Sequence, residues 1–183
     1  MTCQDFFDVH LNNNDKCKLL QKEPSKYTWQ LESASKFSPH PVQDEEPLIR
    51  QIISPIHLDT DSKTLKPTAF DDVFNKGLSV NRSHLITSEA QVIDAASLKT
   101  KVFNITNPEK PQRKLHALTK FVAINIRTLT DYENNFGLGI YDTALERDSS
   151  HADICHISVD NKQNQRSIRS KLLDLANQNL TVI

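Results

Sequence analysis

The apolar positions of this chain change period several times, and the changes mark its elements. Leu48-Ile-Arg-Gln-Ile-Ile53 is rich in β-branched residues and stops at Ser54-Pro55, which predicts a strand closed by a proline that cannot continue a ladder. Leu65, Ala69, Phe70, Val73 and Phe74 recur at helical intervals with Pro67 in the first turn, so a short helical element is expected there, ended by Gly77. Leu78-Ser-Val80 reads as a brief strand. Ser88 followed by Gln91 fits a capping box and predicts a helix running to about Ala96.

Further along, Lys99 to Ile105 alternates like a strand, and Asn107 to Pro111 reads as a loop. Lys120 to Leu129 predicts a long strand with one buried face, with more strands at Phe136 to Tyr141 and Ala152 to Val159. From Gln165 the period becomes helical: Ile168, Leu172, Leu175 and Ala176 share a face that excludes Arg166, Arg169 and Asp174. Several closely spaced strands with two or three helices, one of them a C-terminal amphipathic helix, predict an α+β fold with a mainly antiparallel sheet.

Residues 1 to 46 differ. Asn12-Asn-Asn-Asp15 is a turn cluster, Tyr27 to Leu31 alternates like a short strand, and Ser33 to Glu46 is polar with Pro39, Pro41 and the triplet Asp44-Glu-Glu46. This stretch is expected to be a peripheral segment and linker, ahead of an α+β domain spanning residues 47 to 183. It is too short to form a core unaided. The full 183 residues suffice for one independent core.

Composition narrows the function classes. With 22 basic and 23 acidic residues the formal charge is -1, so bulk electrostatic attraction to nucleic acid is not expected. Only 3 glycines occur, and Gly137-Leu-Gly139 lacks the further glycine and helix of a dinucleotide or phosphate loop, so no cofactor is expected. Cys3, Cys17 and Cys155 form no C-x-x-C pair and suit a reducing, cytoplasmic setting. Neither a secretory signal nor a membrane-spanning run is read at the sequence level.

Candidate chemistry gathers between apolar runs: Arg50, His57, Ser79, Arg82 and His84, with an echo at His151 and Asp153. Imidazoles near neutral pH suit proton transfer or metal binding. His151 and Asp153 share a strand face and are the nearest approach to a metal pair, whereas His151 and His156 point oppositely, so no metal site is expected. Asp59, Asp61, Asp71 and Asp72 beside Lys63 and Lys66 contain the residue types of a nuclease, but a solvated turn and a helix start account for them better. No nucleophile elbow is present.

Two resemblances bear on these residues. A strand-borne Arg50 with a later Ser79 resembles the opening of ADP-ribosyltransferase-like folds, where such residues line a nicotinamide pocket; the late glutamate motif of those enzymes has no counterpart, Glu146 being the last glutamate. Leu48-Ile-Arg50, Ser54-Pro-Ile-His57, Pro67-Thr-Ala-Phe70, Leu78-Ser-Val80 and Ser150-His-Ala-Asp-Ile154 resemble, in that order, a loosely defined set of small bacterial proteins of unassigned function. Such proteins stand beside larger enzymes in multi-gene systems, including defence and toxin clusters. The resemblance implies an accessory or adaptor role in which another protein is bound, and no catalytic assignment. The alternatives are a divergent enzyme acting on a nucleotide or nucleic acid, ADP-ribosyltransferase-like or nuclease, and a secreted effector or toxin-immunity protein.

Overall fold

A computed structural model describes residues 1–59 and 61–183. Its frame is a six-stranded antiparallel sheet in the order β4-β5-β2-β1-β3-β6. The strands are β1 (Pro47–Ser54), β2 (Leu78–Arg82), β3 (Lys114–Val122), β4 (Leu138–Tyr141), β5 (His151–His156) and β6 (Leu180–Val182). The helices are α1 (Cys3–His10), α2 (Lys16–Leu20), α3 (Glu89–Thr106), α4 (Ala123–Arg127) and α5 (Lys162–Gln178). This is the α+β arrangement with an amphipathic closing helix that the periodicity predicts, with more helices than expected.

Strand parity divides the core. Leu48 and Ile52 of β1, Leu78 and Val80 of β2, Ile140 of β4 and Ala152 and Ile154 of β5 face one side. There they meet Phe70, Val73 and Phe74 of a 3-10 segment (Pro67–Phe74) and Ile168, Leu172 and Ala176 of α5. The opposite side carries two smaller clusters. Ile49, Leu115 and Leu118 pack against Val92 and Ala96 of α3, while Tyr141, Cys155 and Ile157 pack beneath the N-terminal helices. The β1–β3 ladder shifts between Ile52, opposite Ala117, and Ile53, opposite Leu115. His116 is thus the extra residue of a bulge, and the shift turns Leu115 to the side of Leu118.

The N-terminal 46 residues are helical where a short strand was expected: Thr28–Leu31 is a 3-10 turn, not a strand. Thr2 and Asp5 form a complete capping box that starts α1. Cys3, Phe6 and Phe7 of α1, Cys17 and Leu20 of α2, and Trp29 are buried together against the sheet. Tyr141 adds its hydroxyl, which donates to the Lys26 carbonyl at 2.7 Å.

Two other segments depart from the expected elements. Lys99 to Ile105 is the second half of α3 and not a strand. The residues that decide this are Val92, Ala96 and Thr100, buried at intervals of four, a helical spacing that a strand cannot place on one face. The capping box expected from Ser88 and Gln91 does not form: Ser88, the N-cap, makes no side-chain cap bond, and Gln91 Oε1 accepts from the amide of Thr87, one residue before it, at 3.0 Å. The long strand expected over Lys120 to Leu129 is divided, with β3 ending at Val122 and α4 following. No helix among the described residues is long and apolar enough to cross a membrane.

His156, at the end of β5, is fully buried. Its Nδ1 accepts from Gln21 Nε2 at 2.9 Å, so Nε2 carries the proton and donates to Ser158 Oγ at 3.0 Å. Burial lowers its pKa from 6.5 to about 4, against the opposing carboxylates of Asp160 and Asp131. The folded pKa lies below the unfolded one, so between these values only the unfolded chain takes up the proton, and stability falls as the pH falls through that window. Acidification from about pH 7 to about pH 5 should therefore cost roughly 1–2 kcal/mol through His156 alone. In His156→Gln the fall in melting temperature over that range, measured by circular dichroism, should be smaller than in the wild type.

Candidate functional site

Strand β2 gathers most of the chemistry-bearing side chains, though not in one pocket. It pairs with β1 only at Leu48 with Arg82 and Ile49 with Asn81, after which the two strands separate. Arg50 occupies the resulting gap. Its Nη1 donates to the Ser79 carbonyl at 3.1 Å, and its buried Nε has no partner. Burial lowers the guanidinium pKa to about 10, with the carboxylates of Asp72 and Asp153 opposing the shift.

On the other sheet face, Ser79 meets the distant pair. The register sets Ser79 opposite Asp153 and Asn81 opposite His151. Ser79 Oγ lies 3.2 Å from His151 Nε2 and 3.4 Å from Asp153 Oδ1, so its one proton has two acceptors within reach. Thr143 Oγ1 donates to Asp153 Oδ2 at 3.0 Å, and the Lys16 ammonium donates to the same oxygen at 2.5 Å. Lys16 and Asp153 are both buried. Burial pulls the Lys16 pKa down, but the Asp153 carboxylate more than offsets this and leaves it above its ordinary value. The preceding turn is fitted to the same carboxylate. Gly77 has φ +88°, and a Cβ there would lie 3.0 Å from Asp153 Cβ and Cγ. Lys16, Gly77, Ser79, His151 and Asp153 border a cleft of about 230 Å³.

The remaining candidates lie elsewhere. Arg82 is buried at the far end of β2, where Nε and Nη2 donate to Glu46 at 2.8 and 2.7 Å and Nη1 donates to the His40 carbonyl at 2.7 Å. Burial raises the Glu46 pKa, but Arg82 and the Gln43 amide hold it below the ordinary range. His84 Nδ1 stands 3.3 Å from Glu46 Oε2, and its ring stacks on that of His40 at 5.4 Å. His40, Glu46 and His84 offer ligand atoms within 4.8 Å of one another. Arg82 engages both Glu46 oxygens and approaches His40 Nδ1 to 2.9 Å, so a fixed positive charge already satisfies this cluster. His57 closes the turn after β1, its Nδ1 accepting from the Ile53 amide at 3.0 Å. Burial, with Arg50, Arg113 and Lys76 adding to it, lowers its pKa to about 3, so it is neutral at neutral pH.

The acidic residues do not converge. Asp59 accepts from the amides of Asp61 and Ser62 in a turn, Asp71 pairs with Arg169, and Asp72 with Lys76.

A different surface escapes the sequence reading. Leu98, Val102 and Ile105 of α3 are 62%, 51% and 69% exposed. With exposed Ala95 they follow a three-four-three spacing, which lines them along one side of the helix, away from buried Thr100. Beside Ile105 runs a groove of about 440 Å³ with Leu115 and Ile183 among its apolar residues and Lys101, Arg113 and Lys114 among its polar ones. That spacing is the sequence signal of this face; over Lys99 to Ile105 the chain also reads as strand alternation.

Comparison with protein-family models, with curated proteins and with solved structures finds no match.

Breaking the buried pair tests how far the cleft depends on it. Lys16→Met, which leaves Asp153 buried without its partner, should lose about 3–5 kcal/mol by urea unfolding. Adding Asp153→Asn removes the orphaned charge, so the double variant should be more stable than Lys16→Met alone.

Proposed function

We propose that the protein is a small accessory module that binds a partner protein along the outer face of α3. The observation that supports this most directly is the line of exposed apolar residues Leu98, Val102 and Ile105, continued by the groove at Leu115 and Ile183. Isolated exposed apolar residues are ordinary, whereas a continuous row with a polar rim is the character of a docking face.

The rim selects the occupant. Lys99 and Lys101 flank the row on α3, and Lys114 borders the groove. All three are exposed, and no carboxylate pairs with them among the described residues. An amphipathic helical segment with apolar anchors and acidic flanks complements both the row and its charge. A second copy fits less well, because antiparallel self-pairing would set the lysines of one helix near those of the other. The accessory role agrees with the resemblance to small bacterial proteins that accompany larger enzymes in multi-gene, defence-type systems. The free, buried thiols are in keeping with a reducing, cytoplasmic setting.

A photo-crosslinking residue at Val102, introduced in the native host, tests this reading. Crosslinks should map to one acidic, apolar-anchored segment of another protein. Leu98→Asp should weaken that partner's binding at least tenfold, roughly the scale of a binding hot spot, with stability changed by no more than about 0.5 kcal/mol. Crosslinks between copies of the chain, or crosslinking unaltered by Leu98→Asp, would overturn it.

A further inference from the structure

We propose that Ser79 is a nucleophile activated by His151, in a cleft that takes small acyl esters. The inference goes beyond partner binding and draws on separate residues. His151 Nδ1 lies 2.9 Å from the main-chain oxygen of Thr143, which can only accept, so Nδ1 carries the proton of the neutral ring. The lone pair is then on Nε2, 3.2 Å from Ser79 Oγ. That is the relation of a general base to a hydroxyl nucleophile.

The surroundings suit the step. Ser79 is exposed, so a substrate can reach it, while its partner His151 is largely covered. Leu11 and Leu145 line the cleft beside Asn12 and Lys76. Its volume of about 230 Å³ fits a short acyl group better than a drug-sized ligand. Asp153 Oδ1, 3.9 Å from His151 Nε2, is placed to stabilise the imidazolium that forms. In a serine triad the carboxylate meets the other ring nitrogen; here the Thr143 carbonyl orients the imidazole, and Asp153 acts as a positioning residue from the Ser79 side. Asn12 and Lys76 carry N–H donors on the cleft lining, Lys76 standing 3.5 Å from Asp72.

The reaction balances with water as the only co-reactant. Ser79 Oγ bonds to the acyl carbon while its proton passes to His151 Nε2. The tetrahedral intermediate then expels the alcohol, which takes that proton as the ester C–O bond breaks. A water molecule, deprotonated by the same nitrogen, attacks the acyl-serine, and its collapse releases the carboxylic acid and restores Ser79.

A fluorophosphonate probe, read by intact-mass and peptide mass spectrometry on the full chain, provides the test. The wild type should gain a single adduct, mapped to Ser79, and Ser79→Ala should gain none. A folded His151→Gln chain should label about a hundredfold or more slowly, the usual scale for loss of a general base. Turnover of p-nitrophenyl acetate should fall in parallel in both variants. No adduct on wild-type Ser79 would overturn the proposal whatever the variants do, and so would labelling of His151→Gln at the wild-type rate.

Discussion

The Lys16–Asp153 ion pair is the contact around which the rest of this fold is arranged. It joins a helix near the N-terminus to a central strand across 137 positions of sequence, with neither side chain exposed to water. A buried pair of this kind adds little net stability over a well-packed apolar pair, yet is costly to leave half made. Its effect is thus to select one arrangement. With Asp153 fixed, α2 must lie over β5, the turn before β2 must carry a glycine, and Thr143 must direct its hydroxyl to the same carboxylate. The apolar cluster of Phe6, Phe7, Leu20 and Trp29 supplies the driving force for that docking. The ion pair supplies its register.

A second charged contact fixes the opposite end of β2. Arg82 is bound to Glu46 and to the main chain at His40, which brings the proline-containing segment before β1 against the sheet. Between these two anchors β1 and β2 separate, and Arg50 bridges the opening. The arginines thus do architectural work, and the histidines divide by environment. His57 and His156 are kept neutral by burial, whereas His84 and His40 stand near the surface around Glu46.

What could be read in the sequence follows from what periodicity reports, which is burial on one face. The 3-10 segment at Pro67–Phe74, β2 and α5 each bury a single face, and their patterns predict them; β1 is buried on both faces and is legible as a β-branched run instead. The second half of α3 breaks that premise, because its apolar residues face solvent and its sheet-facing position is Thr100. Alternation there described the surface and not the core. At the N-terminus, Thr2 with Asp5 was a readable helix start, followed at once by Phe6 and Phe7. Strand parity correctly put His151 and Asp153 on one face. The register that brings Ser79 to them, and the approach of Lys16, are tertiary facts with no local trace.

The apolar row and the polar cleft lie on the same face of the sheet. Ile49 beneath α3 is paired with Asn81, two residues from Ser79 on the same strand and therefore on the same side. A cavity of about 370 Å³ lies between them, lined by Ala95 and Lys99 of α3 and by Leu145, the residue that also walls the Ser79 cleft. Ala95 and Lys99 of α3 thus border a space that reaches the cleft wall, through a side chain common to both. The strands beneath both are held by Asp153 at one end and Arg82 at the other.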